Sequence, residues 1–201
     1  MNIRSLITVA AAAAAALAGL PAQAQDTGNW IVRARAVHLD SANKDGTGLG
    51  LTINNKTLPE VDITYFLSPN LAAELILTVP QKQTVHSAAL NADIGTFKHL
   101  PPTLTLQYHW PMGTVRPYVG AGVNYTNISS VKLAGGAANL ERNSFGLAAQ
   151  VGADVQLGGG WLLNFDVKKV QIGTTVSLNG VDQGKFKVNP TLVGVGVGKR
   201  F

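Results

Sequence analysis

Cysteine is missing from this chain of 201 residues, and charge is scarce at 13%. The first absence excludes a disulfide scaffold and a closed zinc site built on thiolates. The second sets the chain apart from soluble domains, which carry about a quarter charged residues. Beyond residue 24 no apolar stretch reaches the ~20 residues of a membrane-spanning helix, so a helical bundle is excluded as well. The formal charge is +5, yet no Lys/Arg cluster or stripe occurs, and nucleic acid is not an expected partner. The four histidines, His38, His86, His99 and His109, show neither HxH nor HExxH spacing. No serine or acid is tied to them by sequence either. No catalytic residue, no metal ligand and no cofactor is therefore expected, and the chain does not read as an enzyme.

What is present begins with a tripartite leader. Arg4 supplies a positive start, Leu6 to Leu20 is apolar, and Ala22-Gln23-Ala24 forms a small-x-small cleavage site. That is a secretory signal peptide over residues 1–24, followed by a mature chain 25–201 beginning at Gln25. Its removal takes one charge, Arg4, and leaves a net charge of +4.

The mature part alternates. Eight segments place apolar residues at every second position over roughly the ~10 residues that a tilted membrane strand needs. Trp30, Val32, Ala34 and Ala36 oppose Arg33 and Arg35. Val61, Ile63, Tyr65 and Leu67 oppose Glu60, Asp62, Thr64 and Phe66. Leu71, Ala73, Leu75 and Leu77 oppose Glu74 and Ile76, and Leu104, Leu106, Tyr108 and Trp110 oppose Thr105, Gln107 and His109. The pattern recurs over 115–125, 144–156, 161–168 and 192–201. A chain too apolar for water, without membrane helices but with period-2 strands, predicts an all-β, eight-stranded antiparallel transmembrane β-barrel.

Connections and aromatics separate this from a soluble sandwich. Short connections at Ser68-Pro69-Asn70, Pro111 to Thr114 and Gly158-Gly159-Gly160 alternate with long ones at 40–57, 80–101, 126–143 and 170–190. Short periplasmic turns and long extracellular loops are the outer-membrane arrangement of Gram-negative bacteria. Trp30, Tyr65, Tyr108, Trp110, Trp161 and Phe201 fall on the apolar face at the short-turn end, with Tyr125 and Phe145 at the other. Rings sorted to the two interfaces are membrane girdles. Phe201, closing the last strand, is expected to act as the assembly signal read by the barrel-assembly machinery.

The opposite face carries Arg33, Arg35, Arg116, Lys168 and Arg200 against Glu60, Asp62, Glu74, Asp154 and Asp166. The lumen of an eight-stranded barrel is only wide enough for side chains, so these ions are expected to pair as a plug, not to line an aqueous pore. Val193 to Lys199 superficially resembles a phosphate-binding loop but has no following helix. Its inward glycines, Gly194, Gly196 and Gly198, leave room for bulky lumen neighbours. Leu90, Ile94, Phe97, Leu100 and Pro101-Pro102 in the second long loop, and Leu133 to Leu140 in the third, are apolar for exposed connections. They form either a small capping core or an apolar vestibule, and the two are compatible.

Longer runs resemble one family. Leu58-Pro59-Glu60-Val61-Asp62-Ile63-Thr64-Tyr65-Phe66 with Leu71-Ala72-Ala73-Glu74-Leu75 resembles the second and third strands of the outer membrane protein W (OmpW) family. Leu100 to Trp110 resembles its fourth strand, and Arg116-Pro117-Tyr118-Val119-Gly120-Ala121-Gly122-Val123-Asn124-Tyr125-Thr126 its most recognisable block. Asp166 to Val170 and Gly198-Lys199-Arg200-Phe201 add to the likeness. The resemblance implies a narrow, largely apolar channel that opens outward, closes towards the periplasm, and passes small hydrophobic solutes sideways into the membrane. It also implies an apolar constriction on the third strand, matched here by Ile76, faced from the seventh strand by Lys168. Pro69 and Pro117 could weaken strand pairing near a sideways gap. The expected partners are outer-membrane lipid, small hydrophobic solutes and the barrel-assembly machinery, and the barrel is expected to be a monomer. The alternative is a structural, adhesive or receptor-type surface barrel without transport, and a lipid-modifying envelope enzyme is a weaker third.

Overall fold

The computed structural model describes residues 28–201. The expected signal peptide, residues 1–24, and the first residues after it lie outside the described part. Fifteen strands follow in order: β1 (Trp30–Asp40), β2 (Lys44–Asp45), β3 (Leu51–Ile53), β4 (Lys56–Phe66), β5 (Leu71–Thr78), β6 (Gln81–Ser87), β7 (Ala92–Leu100) and β8 (Thr103–His109). After these come β9 (Val115–Leu133), β10 (Ala138–Leu140), β11 (Asn143–Gly158), β12 (Trp161–Val170), β13 (Gly173–Leu178), β14 (Val181–Lys187) and β15 (Thr191–Arg200).

Eight of them form a closed antiparallel ring in the order β1, β4, β5, β8, β9, β11, β12, β15, with β15 pairing back onto β1. Closure removes every unpaired sheet edge, which hydrocarbon would not tolerate. The seam is continuous from Ile31↔Arg200 to Asp40↔Thr191. It is extended at its foot by Phe201 N–H donating to Trp30 O (2.8 Å) and Trp30 N–H to Phe201 O (3.2 Å). At ~3.3 Å per residue and a tilt of ~40°, ten-residue β15 spans about 25 Å of bilayer.

Alternation becomes sidedness. Along β1, Ile31, Arg33, Arg35, Val37 and Leu39 are buried, while the residues between them are exposed. Exposed Trp30 and Tyr65 pack at 4.6 Å and Tyr108 and Trp110 at 4.9 Å near the short turns. Tyr125 and Phe145 meet at 4.9 Å near the other end. Lys199 lies over the Trp161 and Phe201 rings, its ammonium at the interface. The three-glycine turn works because Gly158, Gly159 and Gly160 all take positive φ (92°, 59° and 80°).

The long connections differ from plain loops. The stretch expected as a loop from Thr126 continues as strand, so that β9 runs 19 residues to Leu133. The hairpin of β6 and β7 pairs with β3 on one side and with upper β9 on the other. β13 pairs with β10 and β14, and β14 with β2. The sheet thus rises above the membrane band. Its interior is one apolar core, including Phe97, Ile128, Leu133, Leu140, Ile172 and Phe186, which continues down to Val37, Leu58 and Leu192 within the barrel. Phe97, Leu133 and Leu140 therefore form the capping core that their loops suggested, whereas Leu90 is exposed.

Candidate functional site: the barrel lumen

Each lumen side chain owes its place to strand parity, so the lumen can be followed in layers from the short-turn end. The lowest layer is a small apolar cluster of Ile31, Phe66, Ala72 and Leu162. The guanidinium of Arg200 sits 4.4 Å and that of Arg116 5.1 Å from the Phe66 ring centre. His109 packs at 4.9 Å against both Phe66 and Tyr118.

Above this lies the ion network. Arg33 donates to both carboxylate oxygens of Asp154 (3.0 and 2.7 Å), to Asp62 (2.7 Å) and to Thr64 (2.7 Å). Arg35 lies 2.7 Å from Asp62, 3.0 Å from Glu60, 3.3 Å from Glu74 and 3.7 Å from Asp166. Lys168 Nζ is 2.8 Å from Glu60 and 3.3 Å from Asp166. Neutral groups complete the shell. Gln150 and Gln107 donate to Glu74 (2.7 and 2.8 Å), Tyr118 OH to Asp166 (2.9 Å), and Asn164 to Asp154 (2.8 Å). Three cations meet five carboxylates, all within a few per cent of full burial. Such a set is stable only because several partners and hydrogen bonds surround each ion.

The glycines of β15 make room for it. A Cβ on Gly198 would fall 2.7 Å from Arg33 Cγ, and one on Gly196 2.7 Å from Arg35 Cγ. Gly152 does the same for Tyr118, whose ring would lie 2.4 Å from an added Cβ.

Above the ions the lumen becomes apolar within one residue step. Ile76, Leu58, Leu39, Val170 and Leu192 surround a cavity floored by Glu60 and Lys168 and flanked by Thr78, Gln81, His99, Pro101 and Thr103. Its free volume is only about 30 Å³, so it is almost filled by its own side chains. Beside it the wall pairing changes. β5 and β8 are in register from Leu71↔Tyr108 to Ile76↔Thr103, and the ladder stops there. Continued by two residues, that register would bring Leu77 and Thr78 to Pro101-Pro102, which has no N–H to offer. Pro69 lies instead in the turn after β4, and Pro117 pairs with Ala153 in an uninterrupted ladder near the short-turn end. The interruption is therefore at Pro101-Pro102 and not at the two prolines expected from sequence.

This geometry has relatives. The OmpW family model matches residues 26–201. The chain belongs to the OmpW family. It is 38% identical to the outer-membrane protein y4mB of Sinorhizobium fredii, over 86% of this chain and 80% of that one. With outer membrane protein W of Vibrio cholerae it shares 33% identity over 93% of this chain and 95% of that one. With the dibenzothiophene metabolism operon protein PahQ of Pseudomonas aeruginosa it shares 29%, over 82% and 80%. Its fold resembles the crystal structure of OprG from Pseudomonas aeruginosa (TM-score 0.75, 28% identity, 87% and 96% covered). It also resembles the outer membrane protein AlkL in lipid bilayers (TM-score 0.69, 26% identity, 90% and 94% covered). The protein is an outer-membrane β-barrel of this family.

Of the ten inward ions read from sequence, this OmpW-family barrel brings Arg33, Arg35, Lys168, Glu60, Asp62, Glu74, Asp154 and Asp166 into one network. Arg116 and Arg200 stand below it on Phe66, although Arg116 is the cross-strand neighbour of Asp154. Ile76 and Lys168 border the same cavity, and Lys168 leans into the ions. Sequence reasoning gave Gln107, Gln150, Asn164 and Tyr118 no part in the ion network, although their inward parity was the available signal. The histidines are dispersed. His38 touches Thr57, His86 touches Asp93, and among the described residues no group of three His, Cys, Asp or Glu could hold a metal ion.

Proposed function

We propose that the barrel is a passive conduit for small hydrophobic solutes, which enter the apolar upper lumen from outside and leave sideways into the membrane. The observation that carries this reading is the abrupt change from an ion-filled lower lumen to an apolar upper one at Ile76 and Lys168. A solute moving further down would have to displace paired buried charges, at several kcal/mol each. A solute leaving through the wall gains ~0.8 kcal/mol per CH₂ from hydrocarbon. The interrupted β5–β8 ladder at Pro101-Pro102 lies beside the cavity and supports that exit. The kinship with a protein named for a dibenzothiophene metabolism operon supports a hydrophobic cargo. In this reading Ile76 is the constriction and the ion network is the floor.

The test compares uptake of naphthalene by cells with and without the barrel, and with Ile76→Trp. Faster uptake that Ile76→Trp abolishes is expected. Equal uptake in all three strains, for naphthalene and for other apolar solutes, would overturn the reading.

A further inference from the structure

Three buried polar atoms at the upper lumen have no hydrogen-bond partner among the described residues: Thr78 Oγ1, Gln83 Oε1 and His99 Nδ1. Thr78 and His99 line the cavity above Ile76. Gln81, between them, already spends its amide on Val79 O (2.5 Å). Gln83 approaches the other nitrogen of the His99 ring, at 3.4 Å. His99 and Gln83 are essentially fully buried. Buried groups of this kind carry a desolvation penalty that a partner relieves.

The chemistry of that partner follows from what the groups offer. Burial, helped by the nearby Lys56 charge, lowers the His99 pKa to about 4, so the ring is neutral at pH 7. A neutral ring has one N–H and one lone pair. The orientation of the Gln83 amide sets which nitrogen carries the proton. In either arrangement one ring atom remains unmatched, on a cavity also lined by the Thr78 hydroxyl, which can both donate and accept. A hydroxyl group on the solute suits both arrangements. An anionic group does not, because the ring is uncharged, Lys168 is held by Glu60 and Asp166, and Glu60 lines the same cavity.

We propose that Thr78 and His99 form a polar reading point for uncharged apolar solutes bearing a hydroxyl, alcohols or phenols, whose hydrocarbon part lies against Leu58, Ile76 and Leu192. The inference rests on the conduit reading above and adds the cargo class. Because these residues flank the Pro101-Pro102 interruption, the hydroxyl is read beside the wall exit.

The experiment uses 2-naphthol and 2-methylnaphthalene, in which a hydroxyl and a methyl group of similar size exchange places. Initial uptake rates are measured in cells carrying the full-length barrel, its Thr78→Val or His99→Leu variant, or none, at matched surface levels. One hydrogen bond is worth roughly a two- to tenfold change. The naphthol-to-methylnaphthalene ratio should therefore be that much higher for the unaltered barrel than for either variant. An unchanged ratio in both variants, with both solutes still accelerated, would overturn this inference alone. No acceleration of either solute by the unaltered barrel would overturn the conduit reading beneath it.

Discussion

Arg33 is the side chain on which the lumen network turns, and its replacement by methionine sets the most exacting test. Its guanidinium reaches Asp154 bidentately, Asp62 and Thr64 at 3.0 Å or less, and it is fully buried. Methionine fills similar volume but leaves Asp154 with Asn164 and Asp62 with Arg35 as nearest donors. Stranding buried carboxylates in this way costs about 3–5 kcal/mol. With a urea slope of about 2 kcal/mol per molar, the unfolding midpoint should fall by roughly 2 M. The assay is equilibrium unfolding of the barrel in lipid vesicles, followed by tryptophan fluorescence and by the gel mobility of folded barrels. Adding Asp154→Leu to Arg33→Met should restore part of the loss, because one stranded charge is then gone. A loss below ~1 kcal/mol, typical of solvent-screened pairs, would refute the reasoning and indicate a water-filled lower lumen.

Four further outcomes are expected. Leu104→Lys, on the exposed face at 53% accessibility, should cost ~2–4 kcal/mol in a bilayer, measured in the same unfolding assay, where a water-facing position would be neutral. His99 titrates lower in the folded than in the unfolded chain, about 4 against an ordinary value of ~6.5. The unfolded chain therefore takes up the proton first as pH falls, and folding should lose stability between about pH 6.5 and 4, by up to ~3 kcal/mol. His99→Leu should flatten that part of the pH profile, read as unfolding midpoints at pH 7 and ~4.5. Gly152→Val would drive a side chain into Tyr118 and should lower stability by ~1–3 kcal/mol, read by the same midpoint. Deleting Phe201 removes both hydrogen bonds to Trp30 at the foot of the seam and the proposed assembly signal, and should lower the amount of folded barrel recovered from outer membranes.

Strand number, facing and lumen chemistry were legible because alternation is local. A residue such as Arg33 needs only its two exposed neighbours to declare that it points inward. The same rule placed Ile76 and Lys168 in the lumen. The extended wall above the membrane was not legible. β6, β7, β13 and β14 are short and polar outside, and β9 continues past Tyr125 through Asn127, Ser129 and Lys132, which read as loop until a partner strand is known. The histidines were equally opaque, since His86 and His99 lie on one hairpin, yet one is exposed and the other almost fully buried.

The sequence by itself determined that the chain crosses a membrane as strands, which side chains face lipid, and that the inward face carries five cations and five carboxylates. These follow from the two-residue period and from composition, which need no knowledge of neighbours in space. Only the tertiary structure decided which ions share one network, why Arg116 and Arg200 stack on Phe66 instead, and that the ladder breaks at Pro101-Pro102. It also decided that His99 and Thr78 meet one apolar cavity. Those are matters of register and closure: Arg33 lies opposite Asp62 on one side and Gly198 on the other only because β1 is the strand at which the ring closes.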